Sequence, residues 1–430
     1  MAVNNSHITY SSVKMLSLAR KVYIAGFLLL GIYYLKIGRY PVYDWLGLTS
    51  AVIIIVTYVL QLKLPRIDGF IFLSGAFLLL SAMATIPFVG KPNNSPATVL
   101  LYIYLIVVWI PIGSVVLTRW AHLRHAYSAL VLSMAITSMY AIGQELFNWP
   151  ILENVQYWGR MTGLTRHPNE LGAFCAMVFP YALALVHTER SKITRMLWIA
   201  AIIVGVIGLF LSGSMTGIFA LIGGMAVYFW HTAKIARLQA VGLTLICSIS
   251  IAGASIAFGG NDSQSVVQRL KDFIQNESGR ITLYSRLEAD KYAWNGVIEN
   301  PFIGHGYHAK AENVNTLIHN AFLGAWFDGG IFELLALLAI LGGAILALLQ
   351  ARKWTRNEEL TINRPYISAA GASFVAFLII AMVSPSLYQR SSWFPVALLF
   401  AASTIVRRHR RRNACYSKSI IWLESKNRVV

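Results

Sequence analysis

Charge is scarce in this sequence. Asp, Glu, Lys and Arg together make up 13% of the 430 residues, whereas a soluble domain carries roughly 25%, so too few are present to cover a water-facing surface. Acid is scarcer still, with 18 Asp and Glu against 36 Lys and Arg. No D-x-D pair occurs, which removes the usual carboxylate bridge between a metal ion and a diphosphate. Glu288-x-Asp290 is the nearest substitute, and it is expected on the wet face of a helix. Only three cysteines are present. Cys175 and Cys247 lie inside apolar blocks and Cys415 near the end of the chain, so no pair is set for an oxidised bridge and no metal or redox spacing appears.

What the chain has in abundance is apolar residues, 57% of the total. They fall in blocks of about 17–22, the length that crosses a ~30 Å hydrocarbon core as a helix. No water is available there to bond the backbone, so such blocks are α-helical; the alternation of a membrane barrel is missing. The spacing predicts an all-α polytopic membrane protein. Twelve spans are expected, near 22–37, 44–62, 68–89, 98–118, 127–147, 168–188, 196–212, 217–231, 239–258, 330–350, 366–384 and 393–406. The first block is read as a span and not a cleavable signal, because a polar stretch precedes it and no small-residue cleavage site follows before Lys36 and Arg39.

The formal net charge of +18 suggests nucleic acid at first sight, but the basic residues do not gather on one soluble face. With both termini cytoplasmic, about two-thirds of the Lys and Arg fall on the cytoplasmic side, as the positive-inside rule requires. They include Arg119, Arg124, Arg190, Arg195 and Arg352 and the run Arg407, Arg408, Arg410, Arg411, Arg412. That run sits where anionic headgroups attract it. An even number of spans preserves the segregation, and no nucleic-acid partner is expected.

Two outer segments break the pattern of short loops. Residues 259–329 form the one sizeable polar stretch. Val266, Val267, Leu270, Phe273 and Ile274 recur at helical spacing, and Leu287, Lys291, Trp294 and Ile298 line a second helix that Asn300 and Pro301 should end. Two amphipathic helices lying on the membrane surface would form a lid. Gly304-His305-Gly306 then gives a tight turn. The other segment, 148–167, carries Trp158, Gly159, Arg160, Gly163, Arg166 and His167, with Pro168 opening the sixth span at its first turn.

Arg160, Arg166, Arg269, Arg280 and Arg286 all lie in these outer segments, against the topogenic preference. A guanidinium grips phosphate through paired planar hydrogen bonds and stays charged at any working pH. Several converging arginines can hold a diphosphate without a metal; the bland alternative pairs them with Glu153, Asp272, Glu277, Glu288 or Asp290 on a solvated face. His319, in the return segment Leu317-Ile318-His319-Asn320-Ala321-Phe322-Leu323, can take a proton from a hydroxyl near neutral pH. His167, His305 and His308 compete for that role.

Three stretches together resemble the O-antigen ligase and Wzy-type polymerase superfamily. Arg160-x-x-Gly163 followed by Pro168-Asn169-x-Leu171-Gly172 is similar to that family's entry to a span. Arg286, Trp294, Pro301 and Gly304-x-Gly306 resemble its R…W…P-x-x-G-x-G loop, and His319-Asn320-x-x-Leu323 with Gly330 resembles its H-N-x-x-L…G return. The likeness covers about residues 150–350. Two departures stand out: Met215 follows Ser212-Gly213-Ser214 where the family often has arginine, and Glu333 replaces a glycine.

The resemblance implies a membrane glycosyltransferase of the bacterial cytoplasmic membrane, acting at its periplasmic face on a glycan carried by undecaprenyl diphosphate. Arg160, Arg166, Arg280 and Arg286 would hold the diphosphate, His319 would act on the acceptor hydroxyl, and Asn320, Trp294, Gly304 and Gly306 would support them. No cofactor and no metal is implied. The acceptor is a saccharide, on another lipid-linked glycan for a polymerase or on lipid A core for a ligase, and Met215 tilts the reading toward the polymerase. Other polysaccharide-assembly proteins are the expected partners, besides membrane lipids. The domains follow: 1–147 for the first five spans, 148–350 for the core with its loop 259–329, 351–406 for the last two spans, and 407–430 for a basic cytoplasmic tail. A transporter or flippase is the rival class. It is disfavoured because the halves 1–215 and 216–430 show no repeat and the acids Glu145, Glu170 and Glu333 stand near the outer span ends.

Overall fold

A computed structural model describes residues 3–38, 40–61, 67–85, 100, 103–152, 159–232, 277–306, 318–355, 363–384 and 389–427. These residues form a helical bundle. Its helices are α1 (Val3–Leu29), α2 (Val42–Leu60), α3 (Gly69–Thr85), α4 (Ile110–Val116, entered through a π-helical turn at Tyr104–Trp109), α5 (Trp120–Phe147) and α6 (Pro168–Thr188). They continue with α7 (Lys192–Leu211), α8 (Met215–His231), α9 (Glu277–Glu299), α10 (Ala321–Trp354), α11 (Arg364–Val383) and α12 (Phe394–Asn427). The described strands are β1 (Lys36–Ile37) and β2 (Tyr40–Pro41), an antiparallel pair with Lys36 opposite Pro41.

Six of the described helices, α2, α5, α6, α7, α10 and α11, are long and apolar enough to cross a membrane. Shorter apolar helices lie at Gly69–Thr85, Tyr104–Val116 and Met215–Trp230. The chain is a multi-pass membrane protein. The expected ninth span, 239–258, and the first amphipathic stretch, 266–274, lie outside the described residues.

The first expected span needs correction. Helix α1 runs from Val3 to Leu29, and the chain then turns into the β-hairpin, so 22–37 is half helix and half connection. Hydropathy registers apolar residues whatever their backbone does. Here the backbone after Leu29 is held from outside the helix: Gly31 N donates to Ser133 Oγ at 2.9 Å and Tyr33 N to the Leu164 carbonyl at 2.9 Å.

Helix α6 is the hub. Leu171, Ala176, Tyr181 and Leu183 are fully enclosed by α5, α7, α8 and α11. Outer helices show the opposite pattern, with Val52, Ile55 and Val59 of α2 and Ile193 and Met196 of α7 exposed and apolar, as contact with lipid tails requires. Lipid is as apolar as leucine, so helix association rests on close packing and interhelical hydrogen bonds. Helices α3 and α10 illustrate it: Ser74 Oγ donates to the Ala336 carbonyl at 2.6 Å and Ser81 Oγ to the Gly329 carbonyl at 2.7 Å.

Helix α10 is broken at Gly330, whose φ of 66° and ψ of −163° leave the helical region. A break frees backbone groups that lipid cannot satisfy. The turn after α9 supplies their partners. His305 N and Gly306 N donate to the carbonyls of Phe327 and Asp328, both at 2.8 Å, and Ile331 N donates to the Pro301 carbonyl at 3.0 Å. Only glycines fit at this junction. A Cβ on Gly304 would sit 2.5 Å from the Asp328 carbonyl oxygen, and one on Gly330 would sit 2.2 Å from that of Phe302.

Candidate functional site

One end of the bundle gathers the polar residues singled out in the sequence. The first contributor is the segment 159–167. Thr137 and Gln144, seven residues apart and so on one face of α5, hold it. Gln144 Oε1 accepts from Thr162 N at 3.2 Å and Gly163 N at 2.9 Å, and Thr137 Oγ1 accepts from Leu164 N at 2.8 Å. Gly163 has a φ of +57°, and a Cβ there would lie 2.4 Å from the Thr137 carbonyl oxygen, so the R-x-x-G spacing is one that brings the loop onto α5.

Arg160 lies where three elements meet. Its Nε donates to the Ser212 carbonyl at 2.8 Å, its Nη2 donates to Asn169 Oδ1, and Met161 N donates to the Leu211 carbonyl at 3.0 Å. The last carbonyls of α7 lack partners within the helix and carry the negative end of its dipole; the guanidinium meets both needs. Met215 opens α8 just beyond, behind its cap Ser214, which accepts from Gly217 N at 3.2 Å. Thus the Ser212-Gly213-Ser214 turn, lacking an arginine at 215, receives one from position 160.

His167 caps α6, its Nδ1 accepting from Asn169 N at 3.0 Å. Burial pushes its pKa down to about 4, helped by the nearby charges of Arg160, Arg166 and Arg286. This residue is therefore where the two segments meet: Arg160 and Arg166 come from the short one, Arg286 from α9. Arg160 and Arg286 are half-buried and Arg166 is exposed.

Helix α9 packs on α10 through a small-residue face. Ala293 and Val297 are buried against Phe327, with Ile318 and Leu323 alongside, and Ala289 one turn earlier is buried too. The stripe Leu287, Lys291, Trp294 and Ile298 lies outermost and exposed. Trp294 meets Trp326 edge to face at 6.0 Å, and Trp326 Nε1 donates to the Pro301 carbonyl at 2.9 Å. Asp290 belongs to the inner side, contrary to the expectation that it faces water. Its carboxylate faces the backbone N–H groups of His319 and Asn320, and its Oδ1 is buried with no hydrogen-bond partner among the described residues. Burial raises its pKa, opposed by those two N–H groups and by Arg286 one turn earlier.

Asn320 is the N-cap of α10, with Oδ1 accepting from Phe322 N at 2.9 Å and Leu323 N at 3.1 Å. The H-N-x-x-L pattern is thus a helix start, with His319 half-buried just ahead of it and its backbone N–H facing Asp290 of α9. Gly304 and Gly306 (φ 77° and 92°) serve the helix break beneath. Arg280 lies in the first turn of α9, while the side chain of that residue, and Arg269, Trp158 and His308 entirely, fall outside what is described. His305 stacks on Phe327 at 4.5 Å, with the rings 5° from parallel.

The structure therefore brings Arg160, Arg166, His167, Arg286, Asp290, His319 and Asn320 into one neighbourhood; Gly304 and Gly306 lie in the turn that fills the helix break, and Trp294 on the exposed face of α9. Asp290 is the member that sequence reasoning had placed on the wet face of the helix. Its signal was legible: Ala289, Ala293 and Val297 mark the packed face of α9, and Asp290 stands beside that stripe.

No curated protein matches this sequence. Residues 199–338 match the family model described as O-antigen ligase. The match spans α7 from its middle to the first part of α10 and includes Arg286, Asp290, His319 and the glycines, while Arg160, Arg166 and His167 precede it. Residues 199–338 thus carry a domain that matches the O-antigen ligase family, in the superfamily that the sequence motifs resemble, and together with the apolar helices this supports a membrane enzyme of the ligase or polymerase type in O-antigen assembly.

Proposed function

We propose that the chain transfers a glycan from undecaprenyl diphosphate to a saccharide hydroxyl, at the periplasmic face of the bacterial cytoplasmic membrane, with twelve spans and both termini cytoplasmic. The observation that carries the reading is the convergence on His167 of arginines from two segments more than a hundred residues apart in sequence. Arg160 and Arg286 hold the diphosphate, with Arg166 and Arg280 assisting. The acceptor oxygen attacks the anomeric carbon from the face opposite the leaving group. A new glycosidic C–O bond forms, the C–O bond to the diphosphate breaks with its electron pair leaving on oxygen, and His319 takes the hydroxyl proton. The configuration inverts. Fixed guanidinium charge stabilises the departing diphosphate, which removes the need for a metal ion. Neutral His167 adds an N–H donor without adding to the repulsion among the arginines.

Whether the acceptor is another lipid-linked glycan or lipid A core divides the polymerase from the ligase. Met215 in place of an arginine favours the polymerase; the description of the matching family favours the ligase. Transfer assays with both acceptors separate them.

The test uses purified full-length chain and a lipid-diphosphate glycan. Arg286→Ala is expected to slow transfer by about 10²–10³-fold, the loss typical of removing a charge-stabilising donor. His319→Ala is expected to slow it by about 10²–10⁴-fold. Parental rates from both variants, with folding intact, would overturn the assignment. Activity lost to a chelator and restored by Mg²⁺ or Mn²⁺ would overturn metal independence.

A further inference from the structure

A cleft of about 400 Å³ opens at the bundle end opposite the arginine cluster, between α3, α10 and α12. Its distance from the candidate site follows from helix geometry. Ser81 of α3 bonds to Gly329 at the helix break, and Asp68 at the cleft is thirteen residues earlier, roughly 20 Å away at 1.5 Å per residue. Apolar side chains of Phe70, Leu73 and Leu346 line it, and they are 37%, 43% and 44% exposed, so the cleft opens sideways where lipid tails run. Its polar edge is formed by Asp68, Gln350 and Arg407.

Arg407 Nη2 donates to Asp68 Oδ2 at 3.0 Å and to Thr404 Oγ1 at 3.5 Å. Asp68 also accepts from Phe70 N through Oδ1, at 3.2 Å. Both contacts of this guanidinium run through one nitrogen among the described residues, so it retains N–H donors for a further acceptor. Among the described residues of this cleft one carboxylate faces many cations: Arg408, Arg410 and Arg411 follow on α12, Arg352 and Lys353 lie in the last turn of α10, and Arg410 lies 5.1 Å over the Trp354 ring. A cationic mouth above an apolar, laterally open floor matches a molecule with an anionic head and a hydrocarbon tail.

We propose that this cleft binds one anionic phospholipid of the adjacent leaflet, its phosphate on Arg407 and an acyl chain along Phe70, Leu73 and Leu346. The proposal is independent of the glycan-transfer reading. It rests on a different end of the molecule and predicts binding, not turnover.

Native mass spectrometry of the full chain, titrated with phosphatidylglycerol or phosphatidylethanolamine of the same acyl chains, tests it. Phosphatidylglycerol is expected to be retained about fivefold more tightly, the effect of one well-placed cation. Arg407→Gln should abolish that preference. Asp68→Asn breaks the same ion pair but leaves the guanidinium, so it should keep or strengthen the preference. Arg411→Gln, outside the cleft, should keep it. Equal retention of the two lipids, loss in both Arg407→Gln and Asp68→Asn, or an equal loss in Arg411→Gln would each overturn the proposal; the last two outcomes would mean a structural ion pair or a diffuse basic surface.

Discussion

His167 connects the capping of α6 to the electrostatics of the whole site. It must stay neutral, because Nδ1 accepts from Asn169 N and three guanidinium groups surround it. An unfolded histidine titrates near 6.5, whereas this one titrates at about 4. Between those values the unfolded chain binds a proton that the folded chain does not. Stability is therefore full above about pH 6.5 and declines as pH falls toward about 4. Thermal melts across that window are expected to show the decline, and His167→Gln should flatten it. A bound diphosphate would partly cancel the surrounding positive charge and raise the folded pKa back toward about 6.5, so a saturating pyrophosphate lipid should make the decline smaller and end it at a higher pH. Identical melts with and without it would argue against an anion seat beside His167. Asp290 makes a second residue-scale case. Its half-buried carboxylate faces the backbone N–H groups of His319 and Asn320, so Asp290→Ala should misplace His319 and lower kcat by about 10²-fold, the cost of a small misalignment, with KM for the donor little changed. Asp290→Asn keeps an acceptor and should recover part of the rate. A fall in donor affinity alone would assign Asp290 to binding and remove the positioning role.

At the scale of elements, the break in α10 and the turn that fills it form a single unit. The glycines of P-x-x-G-x-G and Gly330 are needed because each backbone runs against the other. A contrast within one helix tests this. Gly330→Ala meets the Phe302 carbonyl at 2.2 Å with φ at +66°, a strain of at least ~1–3 kcal/mol before the clash is counted, and should lower the melting temperature and the activity together. Gly342→Ala meets nothing within 4 Å and should leave both unchanged or raise stability through helix propensity. Much of this was legible in the sequence. Pro168 marked a helix start, Asn300-Pro301 a helix end and Gly304-His305-Gly306 a turn, because these signals are local; the start of α10 at Ala321 was not read, since hydropathy placed that span only from 330. The pairing of the G-x-G turn with the break at Gly330 was not legible, since nothing local joins residues 304 and 330. Likewise the α9 stripe Leu287, Trp294 and Ile298 was legible as a stripe, but which face packs inward depends on α10. Small residues won that face because they allow close approach, leaving the larger apolar ones outermost.

Across the whole molecule, function depends on which end of the bundle faces which compartment. Hydropathy located the helices well where the apolar run and the helix coincide, as in α6, and failed at 22–37, where tertiary hydrogen bonds turn the chain. Sidedness has a separate physical basis, the reluctance of Lys and Arg to cross the membrane. The two bundle ends differ in kind. One carries Arg160, Arg166 and Arg286 with acids and a capping histidine among them; the other carries Arg352, Lys353 and the Arg407–Arg411 run. Arginines from separate segments meeting at one junction read as a ligand site, while a mostly exposed run along one helix reads as a topological anchor. Single cysteines placed at Arg166 and Arg411, in a chain whose three cysteines are replaced, separate the ends. In intact cells a membrane-impermeant maleimide is expected to label position 166 and spare position 411 until the membrane is opened. The reverse pattern would put the arginine cluster in the cytoplasm, where a glycan already moved to the outer face could not reach it. The arginines would still converge, but on some cytoplasmic anion, and glycan transfer at the periplasmic face would have no site in this chain.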